Sequence, residues 1–282
     1  MCDIIAMSIR RYQAALLGLL MALPAWAGAT ELKPEAGRGF DRYLQLSQQH
    51  MEATAPEAFL WVDHLPDSRR ADAHASLSRG EVVTERVATS DPEGRVHTPG
   101  AMIHDWVSTV FIPGTSLQKV LSTVQDYDDH RTYYSPAVTR SKILEHHGDD
   151  FKIYLRLMRK KIVTVVLDTE YRIHYQRLDA NRVQSTSFST RIAEVEHPGA
   201  PDETQLPVEN DHGFLWRLDS FWRFYQGDGG VYVQCEAISL SRDIPLGLNW
   251  LIRPFIESVP RESLEFIMQS TRSAVLGRTQ RP

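Results

Sequence analysis

The clearest pattern in this 282-residue sequence is a pair of alternating runs within FLWRLDSFWRFYQGDGGVYVQCEAISLSR, residues 214–242. Side chains along residues 214–225 and 231–242 follow a period of two, and GDGG at 227–230 separates the runs. Such alternation predicts half-buried strands, and a short glycine-rich separator favours a tight turn. The two runs therefore predict an antiparallel hairpin.

Strand alternation also predicts which side chains of this hairpin face inward, because successive side chains point to opposite faces. Arg217, Asp219 and Arg223 share one face of the first run, which we expect to point outward. The inward set is predicted to be Phe214, Trp216, Leu218, Ser220, Trp222 and Phe224. The matching residues of other strands are Val231, Val233, Cys235, Ala237, Phe151, Ile153, Leu155 and Leu157.

The preceding sequence predicts further strands and two helices. Strands are expected at about 81–88, 101–112, 139–146, 151–158, 162–175 and 182–192, with a polar loop at 196–213. Thr115 or Ser116 is expected to cap a helix, and a short helix is expected at 128–134. The apolar stripe of the capped helix is Leu117, Val120, Leu121, Val124 and Tyr127.

A last helix is predicted from about Pro260 to Gly277, since proline is favoured at a first helical turn and glycine just past a helix end. Its apolar stripe is Leu264, Ile267, Met268, Thr271 and Val275. Short connections favour antiparallel neighbours. The order of elements therefore predicts an α+β fold, with a curved antiparallel sheet wrapped around the C-terminal helix.

Two further segments carry a family resemblance. The first consists of Asp126-Tyr127, Tyr133-Tyr134, Pro136, Val138, Ser141 and Ile143-Leu144. The second consists of Arg242-Asp243-Ile244-Pro245, Trp250 and Pro254. With the order of elements, these residues resemble the START-like (SRPBCC, Bet v 1-like) helix-grip superfamily over residues 80–276. The nearest branch is that of the polyketide-cyclase-like and coenzyme-Q-binding-like proteins.

That resemblance implies a sheet gripping the last helix around an internal cavity for lipids, quinones, sterols or polyketides. Members of the superfamily include carriers, sensors and enzymes, so the fold alone does not assign a function.

The N-terminus has the pattern of a secretory signal peptide over residues 1–27. Arg10 and Arg11 precede an apolar run at 14–23, and Ala-Trp-Ala at 25–27 is a small-x-small cleavage site. The alternative is a membrane anchor, but the run is about half of the roughly 20 residues that a span needs. We expect a periplasmic or secreted protein that begins at Gly28, or at Thr30.

The remaining segments flank the predicted domain. Residues 28–79 are expected to form an N-terminal extension with an amphipathic helix near 40–51 and a polar connector at 63–78. Residues 277–282 are expected to be a tail.

Charge and cysteine content limit the kinds of partner that this protein is expected to bind. The net charge of −5 gives no basic surface for nucleic acid, so that partner is excluded. Cys235 is left without a second cysteine once residues 1–27 are removed, so no disulfide is expected. Arg159-Lys160-Lys161 could contact a membrane transiently, or form a solvated hairpin end. The oligomeric state stays open.

The expected ligand site combines the inward strand residues with aromatic side chains near the cavity mouth. Each mouth residue has an apolar body and a polar tip, although closing that end of the sheet is the alternative role. The candidate ligand-binding residues are Tyr127, His130, Tyr133, Tyr134, Phe151, Ile153, Leu155, Trp216, Leu218, Trp222, Val233, Cys235, Ala237, Ile267 and Met268. A solid core without ligand is the competing interpretation.

No residue pattern points to metal, cofactor or nucleophilic chemistry. His146, His147, Asp149 and Asp150 fall at an expected hairpin turn, without a further ligand cluster. A calcium loop at 126–131 is rejected, because Arg131 stands where glycine is needed. Cys235 on an inward face is expected to be an inert thiol.

Two function hypotheses follow. The first is an exported protein that binds or carries a hydrophobic small molecule, such as a lipid, an isoprenoid or a polycyclic compound. The second is a cyclase-, dehydratase- or hydrolase-type enzyme that uses the same cavity. Side-chain alternation assigns no Asp, Glu or His to the interior, which favours the carrier over the enzyme. An interaction module with a vestigial cavity is a third possibility.

Overall fold

The computed structural model describes residues 28–52, 58–91, 94–161, 163–244 and 249–277. The predicted signal peptide, residues 1–27, lies outside the described residues, as do residues 278–282 of the predicted tail. No helix in the described ranges is long and apolar enough to cross a membrane.

The described chain contains both long helices and long strands. The α-helices are α1 (Pro34–Glu52), α2 (Asp67–Ser78), α3 (Leu117–Val124), α4 (His130–Tyr133) and α5 (Asn249–Val275). Short 3₁₀ helices span Trp61–His64 and Tyr127–Asp129. The strands are β1 (Thr30–Glu31), β2 (Val83–Arg86), β3 (Ala101–Pro113), β4 (Val138–His147), β5 (Asp150–Lys160), β6 (Thr164–Arg177), β7 (Arg182–Glu196), β8 (Thr204–Gln205), β9 (Asn210–Asp211), β10 (Arg217–Gly227) and β11 (Gly230–Arg242).

One large antiparallel sheet dominates the fold. Its strand order is β2-β3-β11-β10-β7-β6-β5-β4, with β8 added to β7, and it does not close into a barrel. β10 and β11 pair over their whole length, from Arg217 opposite Leu240 to Gly227 opposite Gly230. The predicted hairpin is therefore confirmed. Asp228, with φ of 53°, and Gly229, with φ of 72°, make its turn.

The C-terminal helix α5 packs on the concave face of this sheet. Its Leu264, Met268 and Val275 belong to one interior cluster with side chains from β3, β5, β6, β7, β10 and β11. The expected α+β helix-grip fold is confirmed. The helix begins well before Pro260, however, so that proline does not mark the first turn. Proline is favoured in the first turn of a helix, but it can also lie inside a helix at the loss of one backbone hydrogen bond. Pro260 is such an interior proline, so it does not indicate where this helix begins.

Helix α3 closes one end of the interior. Ser116 caps it by accepting a 3.3 Å hydrogen bond from the Lys119 backbone N–H, and every residue of its predicted apolar stripe is buried. The predicted cap is confirmed and the predicted stripe is buried, but Tyr127 lies beyond α3, in the short 3₁₀ helix Tyr127–Asp129.

The N-terminal extension covers the outer face of the sheet. Ala36 and Phe40 of α1 are fully buried in an outer cluster with Trp216 and Ile238. Leu77 of α2 packs in a second outer cluster that includes Phe111 and Tyr232. The central strands are thus buried on both faces.

The prediction that residues 63–78 form a connector is wrong for most of that segment, because Asp67–Ser78 is helix α2. Only Ala73 and Leu77 of α2 are buried hydrophobic residues. Two apolar contacts in 12 residues give too little periodicity for a sequence pattern to identify a helix.

Candidate functional site

The concave face of the sheet is the predicted ligand site, and its two ends differ in packing. Near α3, Val110, Ile112, Phe224, Val231 and Val233 have at most 1% of their surface exposed. Met268 of α5 is fully buried in the same cluster. This end of the interior is a filled core.

Near the middle of the same strands, some side chains of the concave face are less completely covered. Trp106, Leu218, Trp222 and Ala237 pack against the interior cluster but are only partly buried. The four lie on three neighbouring central strands, β3, β10 and β11. Leu155 of β5 is partly buried in the same way. Part of the surface of these side chains is therefore exposed to solvent.

Most predicted inward residues lie where strand alternation placed them. Eight of the candidate strand residues belong to the interior cluster or pack against it: Phe151, Ile153, Leu155, Leu218, Trp222, Val233, Cys235 and Ala237. Their contact with a ligand remains a prediction.

Trp216 is on the other side of the sheet, so its inward assignment is wrong. The indole Nε1 donates a 2.9 Å hydrogen bond to Asp211, and the ring packs in the outer cluster with Phe40 and Leu240. The cause is that β10 begins only at Arg217, so the alternation of the strand does not extend to Trp216. Phe214 also precedes the strand.

Hydroxyl groups lie among the apolar side chains of the concave face. Trp222 Nε1 donates a 3.1 Å hydrogen bond to the Ser220 hydroxyl beside it. Ser187 of β7 stands directly opposite Ser220 and is 8% exposed. Tyr171 of β6 is 5% exposed, and its hydroxyl has no hydrogen-bond partner of normal geometry among the described residues. Burial raises the pKa of Tyr171 above its ordinary value, so the phenol keeps its proton.

The candidate mouth residues lie around the short helix α4, and protein groups engage two of their polar tips directly. The hydroxyls of Tyr127 and Tyr175 are 2.7 Å apart. His130 Nε2 lies 3.0 Å from the Val124 backbone oxygen, which identifies this nitrogen as the donor. Burial lowers the pKa of His130 to about 4, so the ring is neutral at pH 7. Its ring also contacts the rings of Tyr127 and Tyr134.

Tyr133 and Tyr134 are held in the same manner. Tyr133 donates a 2.8 Å hydrogen bond to Asp126, and burial together with this carboxylate raises the pKa of Tyr133 to about 12. The Tyr134 hydroxyl lies 3.0 Å from that of Thr271 on α5, and burial raises the pKa of Tyr134 to about 12. These contacts favour the alternative role of closing this end of the sheet. Ligand contact by the four mouth residues stays a prediction.

The two candidate residues on the C-terminal helix differ in their surroundings. Met268 is fully buried in the interior cluster, whereas Ile267 is only partly buried and lies on the flank of the helix. Cys235 of β11 is 2% exposed, and burial raises its pKa well above the ordinary value. Cys235 is therefore an un-ionised core thiol.

One pair of interior residues was missed by the sequence reasoning. His104 of β3 is 3% exposed, and its Nε2 lies 3.0 Å from the Ser241 hydroxyl of β11. His104 shares the inward alternation of Trp106, Val110 and Ile112, so strand alternation applied to residues 101–112 would have found it. The expectation that no His lies inside is wrong.

The basic segment at the β5–β6 turn joins the C-terminal helix. Arg159 and Lys161 lie 2.7 and 2.6 Å from the two carboxylate oxygens of Glu262 on α5. Lys161 also donates a 2.7 Å hydrogen bond to the Ser258 hydroxyl. The end of this hairpin is thus fixed to the helix that the sheet encloses.

The residues that the sequence analysis considered as metal ligands lie at the turn between β4 and β5. The His146 ring stacks on Phe151 at 4.0 Å between centroids, and its Nε2 contacts the Gly148 backbone oxygen at 2.9 Å. Asp150 instead pairs with His174 at 2.8 Å. Within the described ranges, no three His, Cys, Asp or Glu side chains group in a way that could hold a metal ion.

Comparison with known proteins gives solved structures only, since no family model and no curated protein sequence matches the chain. A STAR-related lipid transfer protein from Xanthomonas axonopodis is 16% identical, with 66% of this chain and 98% of that chain covered and a TM-score of 0.42. The Zhui aromatase/cyclase from Streptomyces sp. R1128 is 12% identical, with coverages of 64% and 97% and a TM-score of 0.41. Human STARD10 is 11% identical, with coverages of 78% and 83% and a TM-score of 0.40. The protein has the α+β helix-grip fold that its sequence resemblance to the START-like superfamily implies.

Proposed function

We propose that the protein binds and carries a hydrophobic small molecule, such as a lipid, an isoprenoid or a polycyclic compound, on the concave face of its sheet. The observation that supports this proposal is the incomplete burial of Trp106, Leu218 and Trp222 in the middle of the sheet. Burying apolar surface contributes about 25 cal/mol per Å². A ligand that covers these side chains would therefore gain most of its affinity from apolar contact.

The first experiment identifies the ligand. Native mass spectrometry of the protein purified from its own host is expected to show a bound hydrophobic compound at one per chain. After extraction of that compound, the neutral dye Nile red is expected to bind and to be displaced by the extract. Recovery of a ligand-free protein that also fails to bind Nile red would contradict the proposal.

The location of the ligand can be tested with tryptophan fluorescence. Trp222 faces the proposed site, whereas Trp216 packs in the outer cluster. Addition of ligand is expected to change the emission of the wild type. Trp222→Phe should reduce that change, and Trp216→Phe should leave it intact. An equal reduction by both variants would place the ligand elsewhere.

Export is part of the same proposal and rests on the charged-apolar-small order of residues 10–27. N-terminal sequencing of the protein from the periplasmic or secreted fraction is expected to begin at Gly28 or Thr30. Recovery of the full-length chain in the cytosol would contradict export.

The second candidate function is an enzyme of cyclase, dehydratase or hydrolase type. The 3.0 Å contact between His104 and Ser241 favours it, because a histidine beside a hydroxyl can act in acid-base or nucleophilic chemistry. A carrier should release its ligand unchanged after long incubation, whereas an enzyme should convert it. Conversion that is lost in His104→Gln and retained in His130→Gln would favour the enzyme over the carrier.

A further inference from the structure

Among the described residues of the concave face, the hydroxyl of Tyr171 is a buried polar group that the protein itself leaves without a hydrogen-bond partner. The Tyr171 side chain belongs to the interior cluster and is 95% buried, at 5% exposure. Its hydroxyl makes no hydrogen bond of normal geometry within the described part of the chain, although the Thr169 side chain lies beside it. Buried polar groups in proteins are nearly always paired, so an unpaired one calls for a partner from outside the chain.

Strand register connects this hydroxyl with the partly exposed residues of the concave face. Tyr171 pairs with Ser189 of β7, which makes Ser187 its diagonal neighbour on the same strand. Diagonal neighbours lie within about 7–8 Å, which long side chains can span. Ser187 in turn stands opposite Ser220, and Ser220 stands opposite Ala237. A row of small side chains thus leads from Tyr171 to the partly exposed residues.

The charges around this row limit the ligand that it could hold. The inward residues of the row carry no formal charge: Tyr171, Ile173, Ser187, Ser220, Ala237 and Trp106. The Asp219 carboxylate accepts hydrogen bonds from the Ser189 backbone N–H and hydroxyl, so a negative charge lies beside this row. An ionised acid would therefore meet repulsion from the Asp219 carboxylate here. A neutral oxygen would meet hydroxyl donors.

We propose that the Tyr171 hydroxyl donates a hydrogen bond to an uncharged oxygen of an otherwise apolar ligand, with Ser187 as a second hydroxyl within reach. The ligand class is that of neutral hydrophobic alcohols, ketones and esters, as distinct from ionised fatty acids and plain hydrocarbons. This assignment rests on the proposed function, because it places the polar group of the same ligand.

Three matched fluorescent probes test the assignment: pyrene, acetylpyrene and pyrenecarboxylate. They share one apolar ring system and differ in having no oxygen, a neutral carbonyl or a carboxylate. Wild type is expected to bind acetylpyrene about tenfold more tightly than pyrene, and pyrenecarboxylate the most weakly. Tightest binding of the carboxylate, or equal binding of pyrene and acetylpyrene, would overturn the assignment while leaving the proposed carrier function in place. If none of the three probes binds, both proposals fail.

Two tyrosine variants test whether the preference for acetylpyrene over pyrene depends on the Tyr171 hydroxyl. Tyr171→Phe removes only the unpaired hydroxyl, and the roughly tenfold preference for acetylpyrene is expected to disappear. Tyr175→Phe is the matched control, because its hydroxyl contacts Tyr127 at 2.7 Å and is already used by the protein.

Thermal melts separate a ligand role from a structural one. Tyr171→Phe should melt no lower than wild type, since no protein hydrogen bond is lost. Tyr175→Phe should melt lower and keep the preference for acetylpyrene. A preference that survives in Tyr171→Phe would overturn the proposal.

Discussion

The hydroxyl of Tyr43 donates a 2.8 Å hydrogen bond to Oδ2 of Asp105, and this contact joins the N-terminal helix α1 to the outer face of the sheet. The same hydroxyl accepts a 2.8 Å hydrogen bond from the Thr89 backbone N–H. Asp105 is 2% exposed, and its second carboxylate oxygen has no partner within the described ranges. Burial and the nearby Glu236 carboxylate raise the pKa of Asp105 well above its usual value.

Removal of this hydroxyl should weaken the attachment of α1. Tyr43→Phe loses two hydrogen bonds and leaves Asp105 without its partner, so we expect the free energy of unfolding to fall by about 1–3 kcal/mol. Urea denaturation measures the change. Tyr232→Phe is the control, because its hydroxyl donates to Asp228 at the hairpin turn and its loss should cost less. Equal stability of the Tyr43 variant and wild type would show that this bond does not fasten the helix.

Glu236, on the outer face of the sheet, should make the free energy of unfolding depend on pH. Burial raises the pKa of Glu236 to about 7, and the positive charge of Arg223 opposes this shift. A raised carboxyl pKa means that Glu236 stays protonated to a higher pH in the folded protein than in the unfolded chain. This contribution to stability is therefore complete below about pH 4.5 and is lost as the pH rises through 7.

The measurement is the free energy of unfolding of wild type and Glu236→Gln between pH 4 and pH 8. The variant cannot ionise, so it should gain on the order of 3 kcal/mol relative to wild type across this range. A stability difference that stays constant with pH would contradict the assigned titration.

The titration of His130 should change the free energy of unfolding in the opposite direction from that of Glu236, and at lower pH. Burial lowers the pKa of His130 from 6.5 to about 4, so the folded protein binds this proton less readily than the unfolded chain. Its contribution to stability is then complete above about pH 6.5 and is lost as the pH falls through 4. The loss should be on the order of 3 kcal/mol.

His130→Gln retains a hydrogen-bond donor for the Val124 backbone oxygen and cannot titrate. The variant should therefore lose less stability than wild type between pH 6.5 and pH 4, as followed by urea denaturation. His147→Gln, at an exposed position near the β4–β5 turn, serves as the control. A wild-type pH profile in the His130 variant would show that another group titrates.

Local periodicity was sufficient to predict most of the sheet. The hairpin of β10 and β11 follows from alternation and from a turn sequence, both of which lie within 29 consecutive residues. Inward residues such as Trp222 and Cys235 follow from the same alternation. These features depend only on neighbours in the chain, which is why a single sequence contains them.

Features that depend on distant contacts were not predictable in this way. Trp216 turns to the outer face because Asp211 accepts its indole N–H, in a segment without regular alternation. Helix α2 is held by two buried apolar residues rather than by a full stripe. The site was only partly predictable for the same reason, since the unpaired hydroxyl of Tyr171 becomes visible only when its surroundings are known.

Replacing Ala237 with a large side chain tests directly whether the concave face borders an open space. Ala237 lies on the inward face of β11, opposite Trp106 and Ser220, and is only partly buried. In a filled core, Ala237→Trp would overpack and cost about 1–3 kcal/mol. Over an open space the added indole can be accommodated, so we expect an unchanged melting temperature together with a loss of Nile red binding. The control is Ala200→Trp on an exposed loop, which should change neither quantity. A strongly lowered melting temperature in the Ala237 variant, combined with a wild type that binds no dye, would mean that the core is full and that the carrier function is wrong.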